Sequence, residues 1–468
     1  MSGLVDTVYP KLPVVAQNLA CTWAGYRRDR QRFSSYFHHM LNEWEKTVRG
    51  PVESLVEIQR ARLDRLVDRA RNHVPHYREL PPPSTAKDPG KALAETLASI
   101  PVLEKQAYRD HYADFIATDL PKHKLIPGKT SGTTGTALPL WYTTEALAEE
   151  FATFWRQRRD AGVALGDANL TFNGQIIVPF EQRRPPFWRT NYWGHQTLFS
   201  LYHASPDNMH AYVDAIHAAP GRFVQGYPSM IHLTARALLD AGRPVPSGKF
   251  AGVFTSSESL LPLQRDAIEA AFGAPVRDRY GVSEFAVSMT ECANQSLHVD
   301  MEFCVVEVEV EEESDDYVRG PLLVTGLGND ATPFLRYRVG DIGTRSKHSC
   351  PCGRPGDVFL DLDGRIEDYV VTPDGRRIGR LDHIFKEQLD IAEAQILQDK
   401  RGRLRVLVVR RDSYTQASER ELLTQFRTRV GEEIEIEIAY CDSIDREPNG
   451  KFRAVKSAIG AGIGANTG

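Results

Sequence analysis

Between residues 168 and 284 strand-like and helix-like stretches follow one another: ANLTFNGQIIV, FVQGYPSMIHLTARALLDAG, GKFAGVFTSSE and PLQRDAIEAAFGAPVRDRYGVSE. Strand, crossover and strand in that rhythm build a largely parallel sheet with helices on its faces, so the fold class is α/β. The chain has 468 residues, more than the ~100 to 200 of one ordinary domain, so more than one packed unit is expected.

The flanks read differently. From Tyr9 to Leu80 charged and apolar residues interleave at helical spacing, with Leu55, Ile58, Leu63, Leu66 and Val67 on one face and Pro75 closing the run. A proline-rich joint, LPPPSTAKDP, follows. The segment CVVEVEVEEESDDYVRGPLLVTGL alternates apolar and acidic residues about a turn, which predicts an antiparallel hairpin with one wet face. After Asp363 come a strand LRVLVVR, a helix near 418–430 and a strand EIEIEIAY. The expectation is a large multi-sheet domain over residues 1–362, helical over about the first 100, and a small α+β unit over 363–468 with a glycine-rich tail.

Apolar residues at 41% and charged residues at 25% are those of a globular chain. A net charge of -5 gives no reason to expect nucleic acid or anionic lipid as partner, so small molecules are the expected ligands. The opening MSGLVDTVYPKLPVV lacks the layout of a secretory signal, and no apolar run approaches membrane-spanning length. Six cysteines in so long a chain make no disulfide framework. These features predict a cytoplasmic protein without membrane insertion.

One loop carries obvious chemistry: Lys129 is followed by Thr130, Ser131, Gly132, Thr133, Thr134, Gly135 and Thr136. Glycines let the backbone approach an anion with its N–H groups turned inward, and the hydroxyls add donors without bulk, so the loop suits phosphate. It is not the P-loop of nucleotide hydrolases, which needs a glycine where His123 stands.

TSGTTGT resembles the phosphate loop of the adenylate-forming superfamily, the acyl-CoA synthetases and adenylation domains. Further segments agree in order: Tyr280-Gly281-Val282-Ser283-Glu284 resembles its YGxTE, Tyr337-Arg338-Val339-Gly340-Asp341 its YRTGD, Gly364-Arg365 its hinge, and Pro448-Asn449-Gly450-Lys451 its terminal PxGK. The SCPCGR segment, the GYPS of Gly226 to Ser229 and the helical start resemble phenylacetate-CoA ligases, and the amino-terminal helices the CapK branch associated with capsule and exopolysaccharide genes. One departure touches the hinge, where Glu367 followed by Asp368 replaces the family's aspartate two residues past the arginine.

The resemblance implies ATP and magnesium as cofactors, and a mobile lid carrying Lys451. Joining a carboxylate to the α-phosphorus of ATP brings two anions together, and Lys451 is the charge placed to offset that approach. Glu284 is the expected magnesium ligand, since a hard cation on phosphate prefers carboxylate and water. Thr134 belongs with these two as a catalytic candidate. Thr130, Ser131, Gly132, Thr133 and Gly135 would cradle phosphates; Tyr280, Gly281 and Ser283 would flank adenine; Asp341 would accept from the ribose hydroxyls beside Arg365. Ser256, Ser257 and Glu258, after a predicted strand, fit the stretch lining the adenine and acyl pocket. Phe187, Trp188, Tyr192, Trp193, His195, Phe199 and Tyr202 are rich enough in rings to wall an acyl pocket and equally suited to core packing.

Cys292 and His298 in ECANQSLHVD, with Cys350 and Cys352 in SCPCGR, form a candidate Cys3His zinc shell. The C-x-C and C-x5-H spacings are looser than a zinc finger's, and free buried thiols are the alternative. Cys304 and His348 are spare candidates.

The expected function is ATP-dependent activation of a carboxylic acid as acyl-AMP and transfer to coenzyme A. Three rivals stand beside it: transfer to an amine to give an amide, a non-catalytic nucleotide-binding protein of the same fold, and transfer of AMP to a phosphate or hydroxyl acceptor.

Overall fold

The computed structural model describes residues 8–129, 138–363, 370–373, 377–378, 381, 384, 390–446 and 452–459. The chain divides into two compact units. The first takes in Met1–Leu260, Gln264–Val339 and Thr344–Asp361, the second Leu261–Leu263, Gly340–Gly343 and Leu362–Gly468. Mixed α/β architecture with a helical start is what the alternation of segments predicts.

Three helices open the first unit: Val14–Arg32, Ser35–Thr47 and Val52–His73. Pro13 and Pro51 stand at the N-caps of the first and third, while the Ser34 hydroxyl accepts the Phe37 N–H to cap the second. The third buries Leu55, Leu63, Leu66 and Val67. Ile58 is only half-buried, and Gln59 takes the interior place because its Nε2 donates to the Cys304 carbonyl at 2.8 Å. A satisfied amide can occupy a core position that a hydropathy pattern gives to an aliphatic. Among the described residues no helix is long and apolar enough to cross a membrane.

The alternating region forms a six-stranded sheet in the spatial order 188–191, 196–199, 169–172, 223–226, 252–255, 276–277. All neighbouring pairs are parallel except the edge pair Trp188–Asn191 with Gln196–Phe199. The helices Met209–Ala218, Pro228–Asp240 and Pro262–Phe272 supply its crossovers. Strand residues Leu170, Phe172, Val224, Val253 and Val276 are wholly buried with Ile216, Ile231 and Phe272. Sealed on both faces, such strands read as continuous apolar runs rather than as alternation.

Three of these strands end level, with Phe172 opposite Gly226 and Gly226 opposite Thr255. Gly226 has φ +150°, and a Cβ there would lie 1.9 Å from the Phe172 carbonyl oxygen. Only glycine lets the backbone turn at that point.

A second sheet, of eight strands, runs 304–308, 317–326, 337–346, 358–363, 297–299, 288–291, 279–281, with Glu312–Glu313 attached to the second of these. The expected acidic hairpin is present as Cys304–Val308 and Glu312–Glu313 antiparallel to Tyr317–Gly326. Its inner end differs from the expectation: Cys304, Val305 and Val306 are all buried, so the wet face is confined to the acidic outer end.

The second unit contains a four-stranded sheet in the order 435–440, 403–410, 391–400, 455–457. Its central pair is antiparallel and both flanking pairs are parallel. The helix Gln416–Val430 starts on a capping box between Thr415 and Ser418 and buries Leu422, Phe426 and Val430. The strands Ile391–Lys400 and Val455–Ser457 were not evident from the sequence, whose texture there is mixed rather than alternating.

Candidate active site

The polar groups collect where the parallel strands end. Past Thr255, Ser256 N donates to the Gly226 carbonyl at 3.3 Å, and Ser257 is exposed with φ +73°. Glu258 Oε2 accepts the backbone N–H of Ser229 at 3.1 Å, in the first turn of the helix Pro228–Asp240. A carboxylate there also meets the positive end of the helix dipole. The GYPS and TSSE segments are therefore one structure, as the carboxyl ends of an open α/β sheet require of a binding edge.

Asp278 joins this edge to the second sheet. It lies between the strands Val276–Arg277 and Arg279–Gly281, and its Oδ1 accepts from Thr255 Oγ1 at 2.6 Å. Burial, with the nearby Glu291 charge, pushes its carboxyl up to about 7 against the Thr255 hydrogen bond. No motif pointed to it; an aspartate set between two arginines in VRDRY was the only signal.

Tyr280 and Gly281 follow on the strand that pairs with Ser288–Glu291. Ser283 is exposed, and Glu284 is 7% exposed. Tyr337 Oη donates to Glu284 Oε1 at 3.2 Å. A carboxylate has about four lone-pair positions, so this bond leaves capacity for a cation. Phe285 takes φ +54°, turns the chain beside it, and stacks on Tyr142 at 4.2 Å.

Tyr142 is the residue that ties the site together. It ends the strand Pro139–Tyr142, which pairs with Ile126–Lys129, so these strands are the two stems of the hydroxyl-rich loop. Its Oη donates to the Ser283 carbonyl at 2.5 Å. Burial, then the Glu284 charge, raises its pKa far above that of a free phenol and keeps it a donor. The stem also needs Gly128, since a Cβ there would fall 2.3 Å from the Tyr142 ring.

Thr130, Ser131, Gly132, Thr133, Thr134, Gly135, Arg365 and Lys451 lie outside the described residues. Asp341 is buried in the strand Tyr337–Ser346.

The aromatic run does not wall one pocket. Phe187 and Phe199 are core residues packed with Tyr212, whereas Tyr192 and Trp193 are 56% and 53% exposed at the turn of the edge hairpin. Trp188 and Tyr202 are half-buried, and His195 sits in the same turn with Nδ1 2.7 Å from the Gly166 carbonyl. Strand alternation sends neighbouring rings to opposite faces, and a count of rings does not register this.

Cys292, His298, Cys350 and Cys352 do come together, with all ligand atoms within 4.8 Å of one another. The spare candidates do not join them. Cys304 is buried against Ser288, and His348 is exposed beside Asp316.

Comparison with known proteins agrees with this architecture. A 2-hydroxyisobutyryl-CoA ligase bound to an acyl-AMP superposes with a TM-score of 0.67 at 19% identity, over 89% of this chain and 92% of that one. The fold is that of the adenylate-forming ligases. Residues 370–458 match the family described as the CapK C-terminal domain. Protein CapK of Staphylococcus aureus is 25% identical over 96% of this chain and 98% of its own length. A phenylacetate-coenzyme A ligase of Thermus thermophilus is 25% identical over 69% of this chain and 72% of its own. An indoleacetate–lysine synthetase of Pseudomonas savastanoi is 30% identical over 36% of this chain and 39% of its own. The chain is thus similar over nearly its whole length to Protein CapK, and over about two thirds of it to a phenylacetate-coenzyme A ligase.

Proposed function

We propose that this enzyme activates a carboxylic acid with ATP as its acyl adenylate and passes the acyl group to coenzyme A. The observation that carries the reading is the hydrogen bond from Tyr142, on the stem of the hydroxyl-rich loop, to the turn that presents Glu284. It fits a phosphate cradle and a cation ligand acting on one nucleotide.

In this reading Thr130 to Gly135 donate to the outer phosphates, with Thr134 nearest the chemistry. Tyr280, Gly281 and Ser283 hold the adenine, and Asp341 with Arg365 the ribose. Ser256, Ser257 and Glu258 close the pocket where the acid meets the α-phosphorus. Magnesium on Glu284 would neutralise phosphate charge. Lys451, carried on residues 363–468 acting as a mobile lid, offsets the charge that develops as the carboxylate attacks and pyrophosphate leaves. A thiol then attacks the mixed anhydride and AMP departs. The free state of all six cysteines fits a reducing, cytoplasmic setting.

A second acceptor has its own support. The named product of the indoleacetate–lysine synthetase is an acid joined to an amino acid, and the full-length likeness to Protein CapK fits acylation of a sugar or amino-acid amine in polysaccharide assembly. One experiment separates the readings: a panel of carboxylic acids in pyrophosphate exchange, with hydroxylamine trapping, then AMP release with CoA or with amines. Acid-dependent exchange with CoA-dependent AMP release is expected. Release with amines alone transfers the assignment to amide formation, and no exchange with any acid would leave a nucleotide-binding protein or transfer of AMP itself.

A further inference from the structure

We propose that Cys292, His298, Cys350 and Cys352 bind a structural zinc ion that locks one loop of the eight-stranded sheet. Cys292 Sγ and Cys350 Sγ lie 3.8 Å apart, and Cys352 Sγ lies 3.3 Å from His298 Nε2. Tetrahedral bonds of about 2.3 Å to sulfur and about 2.0 Å to nitrogen place two ligand sulfurs about 3.8 Å apart and sulfur about 3.5 Å from nitrogen. These two pairs already stand near the spacing of a filled shell, and all four ligand atoms lie within 4.8 Å of one another. A disulfide would need the sulfurs at about 2.0 Å.

The surroundings suit thiolates. Cys292 Sγ accepts the N–H of Asn294 at 3.3 Å, and Cys352 Sγ accepts that of Arg354 at 3.4 Å. Both bonds reach back two residues from a turn, and each turn carries a positive φ, at Gln295 (+58°) and Gly353 (+79°). Two separate stretches of chain thus fold into the same sulfur-capping turn. An apolar neighbour, Val358, packs against the three cysteines and limits the access of water.

Charge balance follows. Three thiolates and one divalent ion leave one negative charge, and the Arg354 guanidinium is two residues beyond Cys352, held by Asp300 at 2.6 Å. The alternatives among the acids are weaker. Asp300 is fully engaged by Arg156, Arg354 and Ser288, so it is a counter-ion and not a fifth ligand.

The ion would be structural rather than catalytic, because four protein ligands fill a tetrahedron and leave no open position. Its mechanical role is visible in the topology. His298 stands opposite Val358 in the pairing of Leu297–Val299 with Val358–Asp363, and Cys292 closes the turn before it. Cys350 and Cys352 lie in the connection between Tyr337–Ser346 and Val358–Asp363. Zinc would staple that connection to the adjacent hairpin.

The test uses the full chain purified without chelator from cells grown with zinc, iron and manganese. About one zinc per chain should survive dialysis and be released to a colorimetric chelator only when a mercurial caps the thiols. Cobalt exchanged into the site should give tetrahedral visible bands with thiolate charge transfer in the near ultraviolet. Cys352→Ser should lower zinc content about tenfold or more, while Cys441→Ser, in the second unit, should leave it unchanged. If Cys352→Ser does not fold, the wild-type cobalt spectrum decides. Folded wild-type protein with less than about a tenth of an equivalent of zinc, iron in its place, an octahedral cobalt spectrum, or a Cys292–Cys350 disulfide in the native mass would each overturn the assignment. None of these readouts depends on acyl activation, so the zinc proposal and the proposed function fail separately.

Discussion

Two polar regions hang from the same eight-stranded sheet and are built on opposite plans. Around Glu284, carboxylates and backbone are held by single hydrogen bonds from deeply placed tyrosines, Tyr337 and Tyr142, with lone pairs left over. Around Cys352, four ligand atoms converge within 4.8 Å of one another and pack against Val358. On the roles proposed for them, an edge that binds and releases is left with spare acceptor capacity, whereas a joint that holds would have its ligands taken up by the ion. Substitutions in the first region should remove activity and spare stability; in the second they should do the reverse.

The sharpest test of that contrast is Lys451→Ala. Adenylate formation should fall about a hundredfold or more, roughly 2.7 kcal/mol of transition-state stabilisation, with the melting temperature unchanged. Pyrophosphate exchange and nucleotide binding measured side by side would check it, and unchanged exchange would remove the role given to this lysine. Next in size, Glu284→Gln should cost about ten- to a hundredfold and raise the magnesium concentration needed for half-maximal rate. An unaltered magnesium dependence would break the assignment.

Crossing to the other region, Cys352→Ser should lower the melting temperature by on the order of 5 °C. At low temperature it should leave the rate of acyl activation within about threefold of wild type. A large activity loss without a stability change would erase the distinction between the two regions.

The narrowest effect, confined to a difference between two pH values, belongs to Asp278, on the seam. Its carboxyl titrates near 7 in the folded chain against 3.8 for the ordinary group. A raised pKa means the folded state holds the proton more tightly, so this group lowers stability as pH rises from about 4 to about 7 and adds no further slope above. Asp278→Asn removes that loss. Relative to wild type, the variant should gain about 2 to 3 kcal/mol at pH 8 compared with pH 5, read by urea denaturation. A constant difference across that range would show that the seam is not where the proton is held.

The α/β class followed from the rhythm of segments, because a parallel sheet buried on both faces writes itself into continuous apolar runs separated by helices. The chemical motifs were legible for a related reason. Glycine and hydroxyl loops, and contiguous runs such as Tyr280 to Glu284, place their groups through local backbone geometry. Their roles still rest on kinship, and the loop itself, Arg365 and Lys451 lie outside the described residues.

Tertiary structure decided what local pattern could not. It split the aromatic run between core and solvent and put Gln59 where Ile58 was expected. It chose Cys292, His298, Cys350 and Cys352 over Cys304 and His348, and it brought Tyr142 and Asp278 to the binding edge. Each of these depends on contacts between residues far apart in the chain. Sequence spacing fixes the direction of a side chain within its own strand or helix; which distant backbone it meets is set by sheet order and register.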